Sequence, residues 1–176
     1  MAFMGLVASW EEFLERSLVR YLAGATTDSG YQPALKHGQA DSIEHAYKVL
    51  SLDPSYQSAN SYLKVSDPAW VRSRADFFFK RHSFGGLQNS ADLLKHASKI
   101  RNRVAHESSK CKSDFKSTAI FFLQPANNQL SQGYSSGDLL LSPVFRHFGQ
   151  NVVQLQLNHF QAYAERYSVL ANQIVP

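Results

Sequence analysis

The first twenty or so residues carry apolar side chains at helical spacing, and that periodicity constrains the chain more than any other feature. Leu6, Val7, Trp10, Phe13, Leu14, Leu18, Tyr21 and Leu22 recur at i, i+3, i+4 and i+7, while Glu11, Glu12, Glu15 and Arg16 fall on the other side. The pattern predicts an amphipathic helix over 3–22 that buries one stripe, with Trp10 and Phe13 inside. A second ladder, Val153, Leu157, Phe160, Ala164, Tyr167, Ala171 and Ile174, runs to the C-terminus with the same period. It belongs to a final helical stretch opened by Ser142 and Pro143, with Gly149 as a break and Asn151 as a second cap. Long amphipathic helices at both ends need helical partners between them. The expected fold is therefore all-α, a bundle of four to five main helices in which the last helix packs on the first and the central ones.

The middle of the chain supplies those partners. Residues 24–39 are rich in Gly, Thr, Ser and Asp and read as loop. Asp41 is placed to cap a helix through Leu52, with Glu44 completing a capping box, and Asp53 and Pro54 stop it. After a loop over 55–66, Asp67 and Pro68 open a helix that runs through Phe77, Phe78 and Phe79 and ends before Gly85 and Gly86. Asn89 or Ser90 caps a central helix whose buried stripe is Leu93, Leu94, Ala97, Ile100 and Val104. The polar run SSKCKSDFKS that follows Glu107 reads as loop. Two short apolar runs, Thr118–Leu123 and Asp138–Leu141, flank the turn-rich PANNQLSQGYSSG and read as a small β-hairpin insertion near 117–141. At 176 residues the chain suits a single domain, 1–176, with a real core.

Charge is unevenly spread. The total is +4, but between Trp70 and Lys116 eleven Lys or Arg face four Asp or Glu, a net of +7, so the remainder is −3. A basic centre suits a polyanion, and equally suits a solvated face with surplus lysines. The single cysteine, Cys111, excludes an internal disulfide, and the charges interrupting the N-terminal apolar residues are wrong for a signal peptide or a membrane span. A cytoplasmic protein that does not enter membranes is expected. No HExxH motif, thiolate cluster, G-x-S-x-G elbow or dinucleotide fingerprint occurs, so neither a metal nor another cofactor is called for.

The chemistry concentrates in Ile100, Arg101, Asn102, Arg103, Val104, Ala105 and His106, late in the central helix. A permanently charged phosphate ligand, an amide and an imidazole that titrates near neutrality lie within two turns. Asn102 and His106 share a face, as do Arg103 and His106. Arg101 and His106 differ by about 140° on an ideal helix, so either the Arg stem curls across or a second copy of the helix completes the set. Lys99, Asn102, Arg103 and His106 fall mostly off the apolar stripe. Lys80, Arg81 and His82 either favour the C-terminal dipole of their own helix or form a phosphate-contact rim. Arg103 either contacts a nucleic-acid backbone or pairs with Glu107.

The string RNRVAH in this setting resembles the HEPN domains (higher eukaryotes and prokaryotes nucleotide-binding), whose signature is an Arg, a polar residue and a His four to six positions further on. Arg101, Asn102 and His106 match those places. FMGLVASWEEFLERSLVRYLAG and WVRSRADFFFKRHSFGGL are similar to the RiboL-PSP-HEPN subgroup. The resemblance implies a HEPN-like helical bundle acting as a metal-independent endoribonuclease and a homodimer, in defence, toxin or RNA-processing settings, with an antitoxin or a larger defence complex as partner. Arg101, Asn102 and His106 would be catalytic, and Arg103, Lys99, Lys80, Arg81 and His82 would contact RNA. HEPN toxins silenced by a nucleotidyltransferase carry a Tyr two residues after the motif His; here that place is Ser108, which argues against such control. The competing readings are a non-catalytic HEPN-type module that binds nucleotide or RNA or helps dimerisation, and a helical interaction protein with a solvated basic face.

Overall fold

The computed structural model describes residues 2–176, and among them every regular element is helical. Eight α-helices follow in order: α1 (Ala2–Leu22), α2 (Ile43–Ser51), α3 (Pro68–Phe78), α4 (Ala91–Ala105), α5 (Ser109–Leu123), α6 (Ser136–Leu141), α7 (Gln150–Gln154) and α8 (His159–Ile174). A 3-10 helix, Ser83–Ser90, leads directly into α4. None of the helices is long and apolar enough to cross a membrane. Contacts divide the chain into two compact units, Met1–Ala8 with Asp92–Ser168 and Ser9–Ala91 with Val169–Pro176. The division falls within α1, at the start of α4 and within α8, so no linker separates them.

The expected β-hairpin near 117–141 is replaced by helix. Thr118–Leu123 is the second half of α5, and Asp138–Leu141 lies in α6. The residues of α5 that are buried, Phe115, Thr118, Ala119 and Phe122, sit at i, i+3, i+4 and i+7. That helical phase is hidden in the sequence because Ile120, Phe121 and Leu123 fill the gaps and make the run look continuously apolar. The polar run after Glu107 is not loop but the first half of the same helix, begun by Ser108, whose hydroxyl accepts from the Cys111 amide at 3.2 Å. A capping box starts α6: the Ser135 hydroxyl accepts from the Asp138 amide, and the Asp138 carboxylate accepts from the Ser135 amide at 2.8 Å.

In the unit containing α4–α7, the core is built on aromatic rings. Phe3 packs edge-on against Tyr163 at 5.4 Å between centroids, and Phe122 lies 5.8 Å from Phe148 and 5.0 Å from His159. The Tyr163 hydroxyl donates to the Leu93 carbonyl at 3.0 Å, which ties α8 to α4 as the periodicity predicted. The C-terminal ladder does not run unbroken. Gly149, at φ +104, precedes the five-residue α7, and the chain then leaves the helix at Leu155–Asn158, with Gln156 left-handed. A bridge between Pro143 and Asn158 fixes this excursion, so Ser142 and Pro143 open no helix. The buried residues of α8 are His159, Ala162, Tyr163, Tyr167, Leu170 and Ile174; of the expected ladder Tyr167 and Ile174 are among them, while Phe160, Ala164 and Ala171 are half-buried.

In the other unit, Tyr21 on α1 and Ser83 both donate to the Ile174 carbonyl at the end of α8, at 2.8 and 2.7 Å. Trp10 is buried as expected, whereas Phe13 is half-exposed beside it. Ser42, not Asp41, caps α2, accepting from the His45 amide at 3.1 Å. Glu44 then falls one position short of the capping-box place and accepts from Ser58 instead. Asp67 caps α3 as expected, accepting from Ala69 at 3.0 Å with Pro68 in the first turn. That helix ends at Phe78; Phe79 is extended and bridges Leu35. Lys80, Arg81 and His82 therefore lie beyond the last turn of the helix, not in it.

Candidate functional site

The motif occupies the last two turns of α4. Burial of Leu93, Leu94, Ala97 and Ile100 orients the helix, leaving Lys99, Arg101, Asn102 and Arg103 half-buried at its edge. Val104, expected on the core stripe, is 39% exposed. The turn continues one residue past Ala105, because the His106 amide donates to the Asn102 carbonyl at 2.9 Å. The tie between Asn102 and His106 is thus a backbone one. Among the described residues the His106 side chain makes no hydrogen bond and is exposed. Arg103 does not pair with Glu107: its Nη1 donates to the His106 carbonyl at 3.4 Å, closing the helix end.

A second histidine on the same helix behaves differently. His96 is half-buried, with Nδ1 2.9 Å from the Thr118 hydroxyl, and it stacks on Phe121 at 4.3 Å, with His147 on the other face of that ring at 4.1 Å. Burial lowers its pKa to about 4, with the Lys99 charge adding to the effect. It is neutral at physiological pH and belongs to the core. His106, one residue past the end of α4, is the exposed imidazole at this helix end.

Beside the motif lies a cleft of about 430 Å³, between the end of α4, one face of α5 and the 129–134 loop. Arg103, Lys112 and Lys116 line it, with Gln129, Ser131 and Tyr134 opposite them. Lys112 and Lys116 are four apart on α5 and so share a face. Sequence reading missed this pair as a feature because the run was assigned to loop, where spacing has no meaning. Its one available signal was Ser108 followed by buried-phase residues at 115, 118, 119 and 122. Burial raises the pKa of the Tyr134 hydroxyl, which stays a donor.

The structure brings Lys99, Arg101, Asn102, Arg103 and His106 together on one helix end. Lys80, Arg81 and His82 belong to the other compact unit. There Lys80 and Arg81 are exposed, while His82 Nε2 lies 2.9 Å from an Asp76 carboxylate oxygen, to which it donates, and its ring packs beside the stacked Phe79 and Phe84. Among the described residues no group of three or more His, Cys, Asp or Glu side chains is arranged to hold a metal ion. No protein-family model matches the chain, and no curated protein and no solved structure is significantly similar to it.

Proposed function

We propose that the chain is a metal-independent endoribonuclease of the HEPN kind, cutting RNA at a site built from the C-terminal ends of α4 in two copies of the chain. The observation that carries this reading is the exposed His106 imidazole, bonded to no neighbour, one turn beyond Arg101, Asn102 and Arg103. The exposed Val104 between them gives a second copy an apolar side chain to cover.

RNA carries its own nucleophile, the 2′-OH beside each phosphodiester. In the proposed reaction the 2′ oxygen forms a bond to phosphorus, the bond from phosphorus to the 5′ oxygen breaks, and a 2′,3′-cyclic phosphate and a 5′-hydroxyl result. His106 of one copy takes the 2′ proton and His106 of the other gives a proton to the departing oxygen. Arg101 holds the phosphoryl oxygens with its fork of donors and offsets the charge that builds on them. Asn102 orients substrate or imidazole. The alternative, a non-catalytic module that binds nucleotide or RNA or helps dimerisation, is favoured only by the lysine-lined cleft.

The test is incubation of end-labelled RNA with the purified protein in EDTA, beside His106→Ala prepared identically. Cutting by the wild type alone, with cyclic-phosphate ends, supports the nuclease. Two inert proteins that bind RNA equally would move the reading to the binding module. Equal cutting by both would remove His106 from the mechanism.

A further inference from the structure

The cleft between α4, α5 and the 129–134 loop has a composition that structural need does not explain. Arg103, Lys112 and Lys116 converge on it, no carboxylate lines it, and among the described residues none of the three forms an ion pair. Asp114, two positions from each lysine, points to roughly the opposite side of α5. Three like charges held around one concavity repel one another, an arrangement that an anion relieves. The remaining polar wall is neutral and rich in donors: Gln129, Ser131 and the protonated Tyr134 hydroxyl.

From this geometry we infer that the cleft is a backbone subsite for single-stranded RNA, in which Lys112 and Lys116 hold a phosphate neighbouring the one addressed by Arg101 and His106. The inference rests on the nuclease reading and adds to it the direction in which the strand leaves the site. Continuity is direct, because the Arg103 guanidinium that touches the His106 carbonyl also lines the cleft. The volume, about 430 Å³, is that of a pocket for a single nucleotide-sized group and leaves no room for a duplex. Gln129 and Ser131 stand where base edges or the 2′-OH of that nucleotide would pass.

The test compares wild type with Lys112→Gln/Lys116→Gln, a change that keeps helix propensity and alters only exposed side chains. Both are assayed for cleavage of end-labelled RNA, and both, carrying His106→Ala, for binding of a fluorescent single-stranded RNA by anisotropy across a salt series. Loss of the one phosphate contact that the two lysines share lowers the slope of log affinity against log salt by about 0.7. Thermal melting of each variant accompanies the assay, and a single Lys116→Arg, which keeps the charge, is expected to retain the wild-type slope. A wild type that cleaves, with an unchanged slope in the double variant, overturns the subsite and leaves the nuclease standing. A wild type that never cleaves but loses slope on substitution supports the cleft and overturns the nuclease. No RNA binding by any form overturns both.

Discussion

The imidazole of His96 lies face to face with Phe121, their centroids 4.3 Å apart and their planes 21° from parallel. The pair makes His96 part of the core, and its pKa falls from 6.5 to about 4 through burial, then Lys99, with Asp92 opposing and His147 adding. The folded state thus binds the proton less readily than the unfolded one. Stability from this group is complete above pH 6.5 and is lost as pH falls from there to about 4. Allowing for its partial exposure, the loss is about 1–2 kcal/mol, or roughly 2–8 °C in Tm for a domain of this size. His96→Gln is expected to flatten the difference between Tm at pH 7 and pH 4.5; an identical pH profile would show that the ring is not desolvated. His159, buried and shifted in the same direction, keeps some slope in the variant.

Tyr163 is fully buried, and its hydroxyl reaches the Leu93 carbonyl across 3.0 Å. Tyr163→Phe keeps the ring contacts with Phe3 and Phe148 and removes only that donor. Because the Leu93 carbonyl lies inside α4 and keeps a helical partner, the cost is about 1 kcal/mol, near the middle of the range for a neutral bond. Chemical denaturation would show a lower midpoint with an unchanged slope. No shift, or a stabilisation, would mean that the hydroxyl only satisfies itself there.

How far the sequence reached depends on whether a local signal had competition. Asp67 and Pro68 admit one reading, a helix start, and the structure has it. Likewise the α4 stripe from Leu93 to Ile100 is periodic with polar residues between, and it was legible. In α5 the same periodicity is masked by Ile120, Phe121 and Leu123, so tertiary packing, not pattern, distinguishes helix from strand. The ladder from Val153 to Ile174 kept its spacing by chance across a break that Gln156 and the Pro143–Asn158 bridge impose. At the candidate site the motif residues were visible through their setting, late in a periodic helix and off its apolar stripe, since Arg and His also stand together at Arg81-His82 and Arg146-His147. Lys112 and Lys116 were not, since two lysines become a feature only once a helix puts them on one face.

The start of α5 gives a sharper handle on that face. Ser108 accepts from the Cys111 amide at 3.2 Å, while Lys110 and Lys112 put positive charge into a first turn whose dipole disfavours it. The cap therefore offsets an unfavourable end. Ser108→Ala is expected to cost about 1 kcal/mol and to speed hydrogen exchange of the Cys111 and Lys112 amides before those of Phe115 or Phe122. Ser108→Asp should restore protection, as an anion there both caps the turn and answers the dipole. Unchanged exchange in the alanine variant would show that packing of Phe115 alone holds the first turn.

A composite site makes activity depend on assembly. If each cleavage needs α4 ends from two copies, specific activity rises with protein concentration and levels off where sedimentation shows the dimer complete. Val104, 39% exposed at the helix end, gives a way to separate assembly from chemistry. Val104→Lys adds a charge that repels its own copy across a two-fold contact, while in the isolated chain it only extends an already exposed position. It is expected to move the dimerisation midpoint and the activity midpoint to higher concentration together, with the plateau activity retained. Specific activity that is flat on dilution through the monomer range, in wild type and variant alike, would place the whole reaction within one chain.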